Sequence, residues 1–246
     1  MKKVFFLLAV SLLSGASVYA QDYVIDQVEL QDTIEKKVIT LIPFQNKYYR
    51  SEIDRSLGMS ENINFQDLRD GLRKELDKQL FMILDDDFEV KSFLKNDSEE
   101  EREILDYVFY GTAGSYTALE ENEKVERGLV KNGQIKEAPV EEGQRYMKTV
   151  IHHPPLISTL NKASNSDYYL FIGELDILLP TTPEQREKSR YIYVHYTLYN
   201  VNGEILDSGM LSQLIASKKC KKVKDISLYG FAPIAYQFKN TLEEFK

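Results

Sequence analysis

Few residues in this chain combine the type and spacing that chemistry needs. Glu174 and Asp176 stand two apart in 168–178, a run that reads as a strand. Residues two apart on a strand share a face and lie ~6.6–6.8 Å apart along it. That spacing fits an inverting acid/base pair, in which one carboxyl protonates a leaving group and the other activates water. The plainer reading is an acidic pair at the solvated end of a strand. His152-His153 is the obvious metal candidate. Adjacent side chains on extended backbone point to opposite faces and cannot easily chelate one ion, although a loop with help from Asp or Glu would allow it. Pro154 and Pro155 make this segment a stiff lead-in to a helix, so surface or packing histidines are the stronger reading. His195 would need a carboxylate to orient it as a general base. Its expected neighbours are Tyr193, Thr197 and Met210, which leaves a packed sheet histidine as the better reading.

No nucleophile elbow, Walker loop, dinucleotide fingerprint or His-Glu-x-x-His occurs. Gly111 and Gly114 follow a helix, whereas phosphate loops precede one. The basic run Lys218, Lys219, Lys221, Lys222 and Lys224 flanks the single Cys220. It suits an acidic partner, anionic lipid or glycan, against the alternative of a solvated loop. Tyr48, Tyr49 and Arg50 have the aromatic-plus-Arg composition of an interface, and packing against their own domain is the equal alternative. The chain therefore reads as non-enzymatic, with no cofactor or metal, and with Tyr48, Tyr49, Arg50, Lys218, Lys219, Lys221 and Lys222 as interaction residues. The rival is a hydrolase or metal-dependent enzyme using Glu174/Asp176 or His152/His153.

The elements that would position these residues follow from hydrophobic period. Residues 37–44 (Lys-Val-Ile-Thr-Leu-Ile-Pro-Phe) read as a strand covered on both faces and ended by Pro43. Asn64 caps a helix to about Met82, with Phe65, Leu68, Leu72, Leu76 and Leu80 on one stripe. Phe88, Val90 and Leu94 suggest a second strand. Ser98 and Glu101 form a capping box for a helix that Gly111 stops. Pro155 opens a short helix carrying Leu156, Ile157 and Leu160. Residues 191–200 alternate, with Tyr191, Tyr193, His195, Thr197 and Tyr199 on one face. Asn202-Gly203 predicts a two-residue hairpin turn with φ > 0 at both positions, placing Tyr196 opposite Gly209 and His195 opposite Met210. A last helix, opened by Pro233, carries Ile234, Phe238, Leu242 and Phe245. The expected fold class is α/β: a single domain over 21–246, a mixed, mainly antiparallel sheet and flanking helices. Residues 95–145 hold 13 acidic and 7 basic residues and are expected as an acidic helix-plus-loop insertion.

The N-terminus sets the compartment. A basic start (Lys2, Lys3), an apolar run from Val4 to Leu13 and Val18-Tyr19-Ala20 before Gln21 have the plan of a signal peptide over 1–20. The run is shorter than the ~20 apolar residues of a membrane span. Cleavage after Ala20 leaves 226 residues and takes the formal charge from −8 to −10. Such a charge argues against nucleic acid as a partner. At 43% hydrophobic and 28% charged the chain can build a packed core, and one cysteine excludes an internal disulfide. The expected location is the periplasm, with outer-membrane association or the extracellular space as alternatives.

Residues 38–44 (Val-Ile-Thr-Leu-Ile-Pro-Phe) resemble the opening strand of the TolB amino-terminal-domain-like, penicillin-binding-protein-activator (LpoB-like) and curli-secretion CsgG-like group. Asp167-Tyr168-Tyr169-Leu170-Phe171-Ile172-Gly173 is similar to that group's Ala-Asp-Tyr-hydrophobic-Gly strand, and 202–206 (Asn-Gly-Glu-Ile-Leu) to its late hairpin. The chain also looks like exported proteins of Bacteroidetes-type bacteria that share the Pro-Phe loop with Ser51-Glu52-Ile53-Asp54-Arg55. The match covers about half of the mature chain, through short motifs. The lipidation cysteine of the activator and secretion families is missing. The resemblance implies a non-enzymatic envelope scaffold that binds other envelope proteins. It transfers no functional residue.

Overall fold

The computed structural model describes residues 36–95, 98–118, 130–131, 134–135 and 145–246. The expected signal peptide at 1–20, the arm at 21–35 and most of the polar stretch from Glu120 onward lie outside these. Lys36–Lys246 forms one compact unit, an α/β structure with helices on both faces of a mixed sheet.

β1 (Val38–Ile42) is the apolar run read from the sequence, and four of its five residues are buried. It lies between β3 (Glu89–Ser92) and the first half of β8 (Tyr168–Leu178), parallel to both. Beyond Pro43 the chain returns as β2 (Tyr49–Ser51), which takes over the same edge of β8 opposite Leu175, Asp176 and Ile177. β9 (Ser189–Asn200) and β10 (Ile205–Ala216) complete the sheet antiparallel, in the order β10-β9-β8-β1-β3. Tyr196 faces Gly209 and His195 faces Met210, as the sequence predicts. The turn itself differs from expectation. Gly203 has φ +80°, but Asn202 does not enter the left-handed region. Gly203 N–H donates to Asn200 O and Asn200 N–H to Glu204 O. The connection is thus a longer loop with one left-handed glycine, a common alternative to the two-residue turn.

α1 (Asp54–Glu61) follows β2, and the sequence stripe gave no sign of it. α2 (Phe65–Leu84) is capped by the Asn64 side chain, which accepts from Asp67 N–H at 2.9 Å. Leu68, Leu72, Leu76 and Leu80 bury against Leu170, Ile172, Val194 and Leu198 of the sheet. α5 (Ala232–Thr241) adds Ile234 and Phe238 to that face, after a helical turn at Val223–Ile226 and a π turn at Ser227–Phe231. On the opposite face lie α3 (Glu99–Gly111), opened by the Ser98/Glu101 capping box, and α4 (Leu156–Ser164). They cover Ile42, Tyr169, Phe171 and Tyr199.

The largest unforeseen element is a second ribbon, β4 (Thr112–Ala118) paired antiparallel with β7 (Arg145–Ile151). Between them β5 (Val130–Lys131) pairs with β6 (Gln134–Ile135). The β4–β7 ribbon lies over β8 and β9, on the same side of the sheet as α3 and α4.

Candidate functional site

A single irregularity in β8 builds the site. Tyr168, Leu170 and Ile172 face the large core, and Tyr169 and Phe171 face the other side. The β8–β9 register then slips between Ile172 and Glu174, so Gly173 is an extra residue without a partner on β9. Such a bulge inverts which residues face which side. After it Leu175 and Ile177 take the core face, and Glu174 and Asp176 join the side of Tyr169 and Phe171. With regular pairing through Gly173 and no bulge, both carboxylates would point into the Leu-rich core.

Under the β4–β7 ribbon the two carboxylates meet His195. Glu174, Asp176 and His195 are 7%, 4% and 3% exposed, so the acidic pair is buried and not at a solvated strand end. The His195 Nε2 lies 3.8 Å from Glu174 Oε2 and 3.6 Å from Asp176 Oδ2. The expectation that no carboxylate reaches His195 is therefore overturned. The acids come from β8, on the edge of β9 opposite Met210 and β10. Arg50 extends from β2 and holds Asp176 with two bonds, Nε to Oδ1 at 3.2 Å and Nη2 to Oδ2 at 2.9 Å. Tyr116 of β4 donates to Glu174 Oε1 at 3.0 Å. Burial first and Asp176 second raise the Glu174 carboxyl above the ordinary Glu range. Desolvation and the Glu174 charge push the Tyr116 hydroxyl up to about 12, so it stays a donor.

The far side of His195 fixes its tautomer. Met147 N–H donates to Nδ1 at 2.9 Å. A nitrogen that accepts has no hydrogen, so the neutral ring carries its proton on Nε2. That Nε2 is buried with no hydrogen-bond partner among the described residues and faces the two carboxylates. The three groups offer ligand atoms within 4.8 Å of one another, as a metal site would. The polarity is wrong for one. A ligating imidazole donates its outer N–H to an acceptor, and here the outer nitrogen meets a donor. The carboxylates are also closer than the ~6.5–9.5 Å of an inverting pair. His195, Thr197 and Tyr199 form a row of side-chain partners for the ribbon: Thr149 N–H donates to Thr197 Oγ1 at 2.9 Å, and Tyr199 O–H to Thr149 O at 2.8 Å.

Gly173 permits this close approach. A Cβ there would lie 3.1 Å from Met147 Cε and 3.2 Å from Met147 O. The cavity beside it, about 10 Å³ and lined in part by Tyr48, Gly114 and Thr149, has room for about one water molecule.

The other residues singled out by sequence lie elsewhere. The Tyr48 side-chain hydroxyl accepts from Gly114 N–H at 2.9 Å, and Tyr49 stacks on Phe44 and donates to Asp54 at 2.5 Å. With Arg50 on Asp176, this aromatic loop is engaged within its own unit. His153 packs edge-on to Tyr107 at 5.4 Å, His152 is exposed, and neither joins a ligand cluster among the described residues. Lys218, Lys221 and Lys222 are exposed, while Lys219 lies over the Tyr229 ring at 3.8 Å and donates to its hydroxyl.

No protein-family model matches the chain, and no curated protein matches it. Among solved structures it is similar to a hypothetical protein of Chlamydia trachomatis, with TM-score 0.33, 10% identity and 75% of each chain covered. It is similar also to a lipoprotein of Neisseria meningitidis, with TM-score 0.35, 9% identity, and 85% of this chain and 97% of that one covered. Likeness at this level carries no argument about activity, so the functional reading rests on the residues above.

Proposed function

We propose that the chain is an exported, non-catalytic protein of the cell envelope that works by holding another protein. The supporting observation is β10. It is twelve residues long, stands at the end of the sheet and pairs on one side only among the described residues. Edge strands are commonly protected by lysine, proline or brevity, because their unpaired main chain attracts a further strand. β10 has no Lys, Arg or Pro, and its one charge, Asp207, is held by Tyr196 O–H at 2.7 Å. Ile205, Leu206 and Leu214 are exposed along it. That combination suits an extended segment of a partner adding to the sheet by main-chain hydrogen bonds. Burial of Glu174, Asp176 and His195 beneath the ribbon supports a structural use of the acids over a catalytic one.

A photo-crosslinking residue at Leu214, with the exposed Glu103 of α3 as the control, tests the contact in native cells. A discrete adduct to one envelope protein is expected at 214 only, abolished by Ser212→Pro. Equal labelling at both sites, or none at 214, removes the reading. The mass of the purified mature chain tests export, with Gln21 as the expected first residue.

A further inference from the structure

A second feature has different chemistry. The turn Ser217–Lys219, which follows β10, and the residues after it line an open groove of about 600 Å³ together with α1. Its charged lining has one sign. Arg190 comes from β9, Lys218 and Lys221 from the turn region, and no carboxylate among the described residues lines the groove. The chain as a whole carries −8, so this is a local reversal of charge.

The three cations are available. Lys218 and Lys221 are exposed and form no ion pair among the described residues. Arg190 uses Nη1 on the Arg186 and Ser189 carbonyls, which anchors the guanidinium and leaves Nε and Nη2 uncommitted among the described residues. An anchored guanidinium matches the paired oxygens of a phosphate, and lysines add point charges. Ser60 brings a hydroxyl from α1. The Ser56 and Ser217 hydroxyls donate to the Ile53 and Glu187 carbonyls, so they are not donors to a ligand. Ile53 and Cys220 give an apolar floor. Burial pushes the Cys220 thiol up to about 11, so the floor adds no negative charge.

We propose that this groove binds a phosphate-class anion, with Arg190 gripping the oxygens and Lys218 and Lys221 supplying the charge. The group could be the phosphodiester of a lipid headgroup or a free phosphate, and two probes separate these. Inorganic phosphate is titrated into the purified chain while backbone amide shifts are followed, with chloride at equal ionic strength as the reference. In parallel, the chain is sedimented with phosphatidylcholine vesicles, with and without phosphatidylglycerol.

Saturable shifts at Arg190 and 218–221 are expected with phosphate and not with chloride. The double variant Lys218→Ser/Lys221→Ser should weaken binding by about tenfold or more. Lys224→Ser, which changes the same basic run outside the groove, should bind as the parent does. Both lysine variants change exposed side chains, and unchanged thermal midpoints show that they fold. Sedimentation with phosphatidylglycerol vesicles that the double variant loses assigns a lipid headgroup. Phosphate binding without vesicle binding assigns the free anion. Absence of saturable binding to either probe, or equal loss in Lys224→Ser, overturns the proposal.

Discussion

The main-chain N–H of Met147 donates to Nδ1 of His195 at 2.9 Å, so a ring on β9 serves as the hydrogen-bond partner of a strand that is not in its sheet. Two residues further along, Thr149 N–H uses Thr197 in the same way. Together they attach the β4–β7 ribbon over the buried acids.

Replacing His195 by Leu keeps the volume and removes the acceptor. A buried N–H left without a partner costs about 1–3 kcal/mol. Urea unfolding should show that loss, and amide exchange at Met147 should accelerate more than in the core strand β1. Thr197→Val should do the same at Thr149. The double variant should lose less than the sum, because both bonds hold one strand. Full additivity with unchanged exchange at Met147 would contradict the attachment role.

Arg50 is the only cation that hydrogen-bonds Asp176 among the described residues, and it is 38% exposed against 5% for its partner. Breaking a fully buried pair costs ~3–5 kcal/mol. Water screens Arg50, so Arg50→Gln should cost about 2 kcal/mol. Adding Asp176→Asn should recover part of it, since the uncompensated charge is then gone. A double-mutant cycle by chemical denaturation measures this coupling. A value near zero would show that the pair contributes nothing to stability.

Asp77 gives the clearest pH dependence. Its carboxyl rises from 3.8 to about 6 through desolvation, and the bond from Ser92 at 2.7 Å only partly offsets that. The folded state thus holds this proton more tightly than the unfolded chain does. The contribution to stability is greatest when the group is protonated in the folded form, and it declines as pH rises from about 4 to about 6. Above that window the penalty is constant. Asp77→Asn keeps an acceptor for Ser92 and abolishes the charge. It should flatten this part of the stability profile and stabilise the protein by about 1–3 kcal/mol at neutral pH. An unchanged slope would place the titration on another group.

Two glycine substitutions should act in opposite directions. Gly173→Ala sets a Cβ against Met147 O and Thr149 Oγ1 at 3.2 and 3.3 Å, so the ribbon must shift, at a cost of about 1–3 kcal/mol. Gly71→Ala on α2 meets, among the described residues, only Val223 at 3.9 Å and should stabilise by about 0.5–1 kcal/mol. Thermal midpoints of the two variants, falling for one and rising for the other, check the pair.

The legible parts of this molecule are those set by near neighbours. The Asn64 and Ser98 caps, the stripe from Leu68 to Leu80 and the facing of His195 to Met210 depend on residues within one helix or hairpin. Glu174, Asp176 and His195 meet for reasons that local pattern does not carry. Gly173 inverts the alternation of β8, and the covering ribbon comes from residues 112–118 and 145–151. Those segments lack a clean apolar alternation: Thr112, Gly114, Ser115 and Thr117 are β4 residues because β7 pairs with them, not through strong strand preference. β2 is illegible locally for the same reason. Its three residues become a strand through pairing with β8.

The placement of β1 has a consequence for the order of folding. β1, α2 and β3 are neighbours in sequence and can close early as a parallel crossover unit. The other edge of β1 waits for β8, and the bond from Val38 N–H to Asp167 spans 129 residues. Contacts of such separation slow folding, because a long loop must close before they contribute. A chain made or threaded from its N-terminus therefore carries a half-built centre until Tyr168–Phe171 arrive. The β9–β10 hairpin, local in sequence, is then ready to add to β8 as soon as that strand docks.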